Sequence, residues 1–147
     1  GARITQWSQR LLAERDAQLL PGAIAMGLAE QFDIDHIALR LWNLPGLSAD
    51  NGYAGAVSAD VRTFADSLKT PYCGNDAEFE AAAWLAAKPR SLALVALRPA
   101  DDTASVGLLV LGSDDPARFD PEMGTAFLES IGQLASAALN RLAEPAG

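Results

Sequence analysis

Residues that could cross-link the chain or hold a transition metal are nearly absent from this sequence. Its 147 residues include one cysteine, Cys73, and one histidine, His36. A disulfide within the chain is therefore excluded, and so is a zinc site built from several cysteine and histidine ligands. We predict no metal site. A single thiol suits a reducing compartment, so we expect a cytoplasmic protein.

Basic residues and long apolar runs are also scarce. Eleven lysines and arginines face nineteen acidic residues, which gives a formal net charge of -8. A surface of this sign repels phosphate backbones, so we predict no direct binding of nucleic acid. No apolar run approaches the roughly 20 residues of a membrane span, and no secretory signal opens the chain. What remains is a composition that is half hydrophobic and one fifth charged, typical of a folded domain with a substantial core.

Two helices are predicted at the start of the chain. Ile4, Trp7 and Leu11 recur at intervals of three and four residues, which indicates a helix over residues 1–20. No start signal precedes this helix, so we expect it to be the end of a longer upstream helical segment. Pro21 then opens a second helix that runs to about residue 32.

The hydrophobic period changes after the second helix. Residues 36–42 alternate between an aliphatic and a mixed face, which predicts a strand. Residues 43–58 are rich in Gly, Pro and Asn, and they predict a long loop of the kind that covers binding sites. The elements predicted beyond this loop are a helix at 59–68, an extended piece at 71–74 and a helix at 76–87.

The most apolar segments lie in the second half of the chain. Residues 91–98 and 105–112 predict two central strands that are covered on both faces and joined as a hairpin. Asp120 predicts the N-cap of a last helix that extends to about residue 142. The residues predicted to form the buried stripe of this helix are Met123, Phe127, Ile131, Leu134, Ala138 and Leu142. Truncation of Phe127 to alanine is accordingly expected to cost about 3–5 kcal/mol.

This order of elements predicts an α+β domain with a central antiparallel sheet. The terminal helices are expected on one face of the sheet, and the short helices with the long loop over the other face. That arrangement leaves a cavity between the sheet and its cover, where a small ligand could bind.

Several segments of the chain resemble the bacterial GAF-like family of domain of unknown function 484. They are ALRLW at 38–42, PYCG at 71–74, GLLVLGSD at 107–114 and RFDPEMGT at 118–125, followed by Phe127 and Leu128. The resemblance covers roughly residues 21–142 and is most specific between 112 and 128. It implies a GAF-like domain at 21–144 that is cytoplasmic and acts as a small-molecule sensor. It implies no reaction, ligand or catalytic residue.

Candidate ligand-binding residues lie near the expected cavity. Arg40 could hold an anion through a two-pronged hydrogen bond, or it could form a structural ion pair. The other candidates are Trp42, Tyr53, Tyr72 and Cys73, where aromatic rings either line a pocket or fill a core. Trp84 lies on a predicted helix, and we assign it to the core.

Cys73 is also a candidate nucleophile. A helix that begins just downstream would lower the pKa of its thiol, but Asp76, Glu78 and Glu80 would oppose thiolate formation. GAF-like sulfoxide reductases use several cysteines, and a single cysteine cannot reproduce that chemistry. We therefore interpret Cys73 as a small buried hydrophobe and predict no catalytic residue.

The terminal helices carry the strongest signal for a partner. Trp7 and Leu11 on the first helix, with Ala135 and Ala138 on the last, are predicted to pair across a two-fold axis in a homodimer. The alternative is that both helices pack only on their own sheet. The sequence thus predicts a non-catalytic sensory or regulatory domain with an unidentified small-molecule ligand. The alternatives are a structural interaction domain with a filled cavity and, thirdly, a thiol enzyme.

Overall fold

Four strands form one antiparallel sheet in the order β1–β4–β3–β2. The computed structural model describes residues 1–99, 104–123 and 125–145. The strands are β1 His36–Leu41, β2 Tyr72–Gly74, β3 Ser91–Leu97 and β4 Gly107–Ser113. The α-helices are α1 Ala2–Ala13, α2 Leu20–Phe32, α3 Ala59–Ser67 and α4 Ala126–Leu139. Short 3₁₀ helices lie at Ala17–Leu19, Glu80–Trp84, Pro121–Met123 and Asn140–Leu142.

The sheet is covered on both faces, as the apolar sequences of β3 and β4 predict. In β3, Val95 and Leu97 face a core shared with α1, α2 and α4, whereas Leu92 and Leu94 face a second core. The second core is formed with α3, the 3₁₀ helix Glu80–Trp84 and the residues beside them. The predicted fold class, an α+β domain on an antiparallel sheet, is confirmed.

Two glycines bring the terminal helices close to their neighbours. A Cβ atom at Gly27 would lie 2.9 Å from Cδ1 of Trp7, so the absence of a side chain lets α1 seat on α2. Trp7 is 1% exposed and donates its indole N–H to the carbonyl of Ile24 at 3.3 Å. A Cβ at Gly132 would lie 2.9 Å from Cγ1 of Val95, which brings α4 onto β3. As a result, α1 packs closely on α2, and α4 packs closely on β3.

The long loop at 43–58 is held at both ends. The side-chain amide of Gln18 donates to the carbonyl of Gly46 at 2.7 Å and accepts from the N–H of Ser48 at 2.8 Å. The N–H of Gly46 donates to the carbonyl of Leu142 at 2.8 Å. Toward its other end, the loop contacts β1 through a parallel bridge between Leu41 and Ala54. The loop therefore connects the helix layer to the edge of the sheet.

The predicted helix at 76–87 is wrong in type and extent, because only Glu80–Trp84 is helical and its form is 3₁₀. Asp76 accepts the N–H of Glu78 at 2.9 Å, a local side-chain bond that competes with helical hydrogen bonding. The first helix is also shorter than predicted. It ends at Ala13, before a separate 3₁₀ turn.

The last helix departs from its prediction in two ways. Asp120 caps only a 3₁₀ turn, accepting the N–H of Glu122 at 2.8 Å, and α4 begins at Ala126. Its buried face is also rotated, because Leu128 is 3% exposed whereas Phe127 is 36% exposed. The large loss of stability predicted for truncation of Phe127 is therefore wrong, and a smaller loss is expected. Among the described residues, no helix has the length and apolar character needed to cross a bilayer.

Candidate functional site

Arg40 lies on β1, on the face of the sheet that α3 covers. Its guanidinium carbon is 5.0 Å from the centroid of the Trp84 ring, a cation–π arrangement. Its hydrogen bond to the loop is long, 3.5 Å from Nη1 to the carbonyl oxygen of Ala56. Within the described residues, the ion pairs join Arg10 to Glu30 and His36 to Asp114, and Arg40 takes part in neither. Arg40 is thus oriented by an aromatic ring while most of its donors stay available.

The rim beside Arg40 is built by the end of the loop and the start of α3. Ser58 accepts the N–H of Val61 at 3.1 Å as the N-cap of α3, and its hydroxyl donates to Glu80 at 2.8 Å. Because Glu80 begins the 3₁₀ helix that carries Trp84, this contact fixes the end of the loop relative to the Trp84 ring. We call Arg40, Trp84 and the segment 55–58 the Arg40 shelf.

Aromatic rings fill the space beside the Arg40 shelf. The ring centroids of Phe64 and Phe79 are 5.1 Å apart, and those of Tyr72 and Phe79 are 4.9 Å apart. Trp42 is 7% exposed and donates its indole N–H to the carbonyl of Ser105 at 2.9 Å. The interior under α3 is therefore packed around these rings, and the Arg40 shelf lies at its margin.

The five predicted ligand-binding residues divide between the two faces of the sheet. Arg40, Trp42 and Tyr72 lie on the face covered by α3, whereas Tyr53 and Cys73 pack with the helix layer. Tyr72 and Cys73 are neighbours in a strand, so their side chains point to opposite faces. These residues consequently do not line one common cavity.

Trp84 is the shelf residue whose contact with Arg40 the sequence analysis does not predict. It packs against the second core, in line with its assignment to the core, but it is only half-buried and carries Arg40 on its ring. The contact joins β1 to a distant 3₁₀ helix, and no spacing within either segment encodes it. Only the residue types, a tryptophan and an arginine near the same expected cover, could have indicated the pair.

Cys73 has the environment of a core residue. It is 9% exposed, and burial raises the pKa of its thiol, which disfavours the reactive thiolate. His36 cannot serve as its base, because β1 and β2 are opposite edges of the sheet. Its ring Nε2 instead lies 2.9 Å from Oδ1 of Asp114. Among the described residues, no three His, Cys, Asp or Glu side chains are grouped to hold a metal ion.

Two charged side chains near α3, Asp66 and Arg98, have structural roles. Asp66 accepts the hydroxyl and N–H of Ser105 at 2.5 and 2.8 Å, and these bonds hold the pKa of its carboxyl below the usual value. The guanidinium of Arg98 donates to the carbonyls of Ala65 and Asp66 at 2.9 and 3.0 Å, at the end of α3. Both contacts fasten the last turn of α3 to the β3–β4 hairpin.

A similar contact joins the other end of the sheet. Asp35 accepts the N–H of Asp114 at 2.9 Å, and this bond lowers the pKa of the Asp35 carboxyl despite an opposing effect of desolvation. Ser113 adds a weaker hydrogen bond at 3.3 Å. The segment before β1 is thereby fixed to the end of β4, and this role is structural.

Among the described residues, two of the larger cavities lie away from the Arg40 shelf. One, of about 600 Å³, lies between α1 and α4, and the other, of about 380 Å³, lies at the edge of β3. We call the first the α1–α4 groove and the second the β3-edge cavity. The groove is lined by Ser8, Leu11, Leu12, Glu14, Arg15, Leu134, Ala137, Ala138 and Arg141.

The residues predicted for a dimer interface are mostly inside the protein. Trp7, Leu11 and Ala135 are 1%, 4% and 0% exposed, so a second copy could touch little of them. They are buried within one chain, where α1 packs on α2 and α4, and α4 packs on β3. Ala138 is half-buried in the groove, and Leu12, which is 85% exposed, is the exposed apolar side chain that α1 contributes there beside the buried Leu11.

Comparison with known families matches residues 47–144, more than half of the chain, to the family described as "Protein of unknown function, DUF484". This match contains the segment in which the resemblance is most specific. No curated protein sequence matches the chain.

Solved structures share the fold at low sequence identity. The GAF domain of a phosphoenolpyruvate-protein phosphotransferase from Acinetobacter is 14% identical, with a TM-score of 0.68 over 95% of this chain and 92% of that one. The GAF domain of the potassium sensor histidine kinase KdpD from Escherichia coli is 18% identical, with a TM-score of 0.59 over 97% and 94%. The free methionine-R-sulfoxide reductase from Neisseria meningitidis is 18% identical, with a TM-score of 0.64 over 93% and 86%. These likenesses establish a GAF fold.

Proposed function

This chain belongs to the DUF484 family and has a GAF fold, and on that premise we propose that it is a non-catalytic, cytoplasmic sensory or regulatory domain that binds a small anionic molecule. The observation that carries the proposal is the Arg40 shelf. An arginine held by an aromatic face, with donors left over and no ion pair among the described residues, is suited to a carboxylate or phosphate.

The position of the shelf supports a regulatory role. The carbonyl of Ala56 that meets Arg40 belongs to the loop at 43–58, whose other end is bonded to Gln18 and to Leu142. An anion that competes with Ala56 for Arg40 would displace this end of the loop. The displacement would be passed to the joint between α1 and α2 and to the end of α4, because the loop is fastened to both.

Native mass spectrometry tests the proposal directly. We expect the purified protein to carry extra mass that disappears on denaturation, and Arg40→Gln to lose it, because a charge-assisted pair is replaced by a neutral one. If the Arg40→Gln variant still binds the ligand, its affinity should be lower than that of the wild type by about tenfold or more. Arg62→Gln is the matched control, since Arg62 is an exposed arginine on α3 outside the shelf.

If the native mass shows no bound ligand, a second measurement is made. The protein is titrated with citrate and with phosphate while its tryptophan fluorescence is followed. A response that requires Arg40 supports the anion site. No response in the wild type, or an equal response in the Arg40→Gln variant, contradicts it.

A structural interaction domain is the second candidate, and the packing of Tyr72, Phe64 and Phe79 under α3 favours it. Rings at 4.9 to 5.1 Å fill space that a ligand would otherwise occupy. This candidate requires no ligand at Arg40, so the measurements above distinguish the two. A thiol enzyme is disfavoured by the buried Cys73 and its raised pKa.

We further propose that the domain forms a homodimer through the α1–α4 groove. Leu12 is 85% exposed at this groove, an unusual setting for a large apolar side chain. Glu14 and Arg15 are adjacent on its rim, so two copies related by a two-fold axis could pair the carboxylate of each with the guanidinium of the other. The guanidinium of Arg141 donates to the carbonyls of Glu14 and Arg15 at 2.5 and 3.0 Å, which fixes the rim.

Leu12→Glu is expected to convert the dimer to a monomer, because it places a charge at the centre of the buried apolar contact. Analytical ultracentrifugation of the purified variants provides the measurement. Met26→Glu is the matched control, since Met26 is 53% exposed on α2 outside the groove. A monomeric wild type, or a Leu12→Glu variant that dimerises as strongly as the wild type, contradicts the proposed interface.

A further inference from the structure

The β3-edge cavity lies where β3 continues past its partner. β2 pairs with β3 only from Tyr72 opposite Leu94 to Gly74 opposite Leu92. The chain before β2, residues 68–71, forms one wall of the cavity, and α4 forms the other. The second half of β3 therefore has an open edge inside a cavity of about 380 Å³.

The hydrogen-bond alternation of the sheet turns the backbone of Ala96 into this cavity. The N–H of Trp42 donates to the carbonyl of Val106 at 2.8 Å, in the register that pairs β1 with β4. Every second residue of β4 therefore bonds to β1, and the residues between them bond to β3, with Leu109 opposite Val95 and Gly107 opposite Leu97. By this alternation, Ala96 points its N–H and carbonyl away from β4, toward the open edge.

Arg98 supports this assignment independently. It lies two residues after Ala96 and shares its direction, and its N–H donates to the hydroxyl of Ser136 on α4 at 3.1 Å. Within the described residues no corresponding bond is found for the backbone of Ala96, which is half-buried. Backbone groups in such a place are normally paired by protein, water or ligand.

The surroundings of Ala96 define the chemistry that would fit. The apolar part of the lining is formed by Val95, Gly132, Leu68 and Pro71. Lys69 is exposed on one wall, where its ammonium lies 3.5 Å from the carbonyl oxygen of Asp66 and interacts electrostatically with the carboxylate of the same residue. Glu129 is an acidic group on the opposite wall. A ligand with one anionic end would therefore place that end near Lys69.

We propose that the β3-edge cavity is a second small-molecule site, separate from the Arg40 shelf, for a short acylated peptide or amino acid with a free carboxylate. Its amide pairs with the N–H and carbonyl of Ala96 as a residue of an added strand would. Its carboxylate lies toward Lys69, and its small apolar side chain rests on Gly132 and Val95. The volume of the cavity falls in the range of small-ligand sites.

Amide hydrogen exchange by NMR tests the site, with N-acetyl-alanyl-alanine as the probe. In the free protein, the amide of Ala96 should exchange about tenfold faster or more than those of Val95 and Leu97, which are bonded to β4. The probe should shift the Ala96 resonance and slow its exchange. An Ala96 amide that is already as protected as its neighbours overturns the proposal.

Two comparisons distinguish specific binding of the probe from non-specific binding. Lys69→Gln should weaken the probe about fivefold, as loss of one partly exposed charge pair does, whereas Lys88→Gln should leave its affinity unchanged. Acetate, which has the carboxylate without the amide, should leave Ala96 unaffected. The same shifts with acetate, equal affinity in both lysine variants, or no response to the probe would each overturn the site.

Discussion

Ile131→Ala is expected to lower the free energy of unfolding by about 2–5 kcal/mol, the range for large aliphatic truncations in a core. Ile131 is 0% exposed and lies on the face of α4 that packs against the sheet and the other terminal helices. Because Gly132 has no side chain, α4 already lies close to β3, and a Cβ atom there would be 2.9 Å from Cγ1 of Val95. The helix is therefore held too tightly to settle into the cavity that the truncation leaves, so the cost should fall in the upper part of the range.

Phe127→Ala is the matched control on the same helix. Phe127 is 36% exposed, and its ring meets that of Phe32 edge to face at 4.9 Å. Loss of this contact should cost about 1–2 kcal/mol, the worth of an aromatic pair with some burial. Urea unfolding followed by circular dichroism measures both variants. A larger loss for Phe127→Ala than for Ile131→Ala would restore the buried stripe predicted from sequence and contradict the packing described above.

The difference between the predicted buried stripe of α4 and its observed buried face shows what hydrophobic periodicity can predict. The period correctly placed a helix here and included Ile131 in its buried face. It included Phe127 and Leu134, which are exposed and half-buried, whereas Leu128, Gly132 and Ala135 are buried. Gly132 lies against Val95 of β3 because it has no side chain, and a pattern that scores apolar size cannot predict such a contact.

The candidate site was predictable only in part, for a related reason. Alternation within β1 correctly placed Arg40 on the mixed face of a strand, opposite Leu39 and Leu41. The partner of Arg40 is Trp84, which comes from another part of the chain. Their contact depends on how the 3₁₀ helix is seated on the sheet, and the sequence had predicted a longer α-helix there. Local patterns predict elements, but the shelf exists only in the packing between elements.

Gly46→Ala is expected to destabilise the protein by about 3 kcal/mol, the upper end of the range for overpacking. A Cβ at this position would clash with the carbonyl oxygen of Glu144 and would lie 2.8 and 2.9 Å from the carbonyl oxygen and Cα of Leu142. All three are backbone atoms, so no rotamer change relieves the clash. The loop and the chain after α4 must separate, which breaks the bond from the N–H of Gly46 to the carbonyl of Leu142.

Gly52→Ala tests the same substitution in the same loop without the clash. A Cβ at Gly52 would meet nothing within 4 Å, so the change should be neutral or stabilise by up to about 1 kcal/mol through the unfolded chain. Thermal unfolding by calorimetry compares the two. If Gly46→Ala melts with the wild type, the loop is not bound to the end of α4. The proposed route from the Arg40 shelf to the end of α4 would then lose its physical connection, and the route to the joint between α1 and α2 through Gln18 would remain.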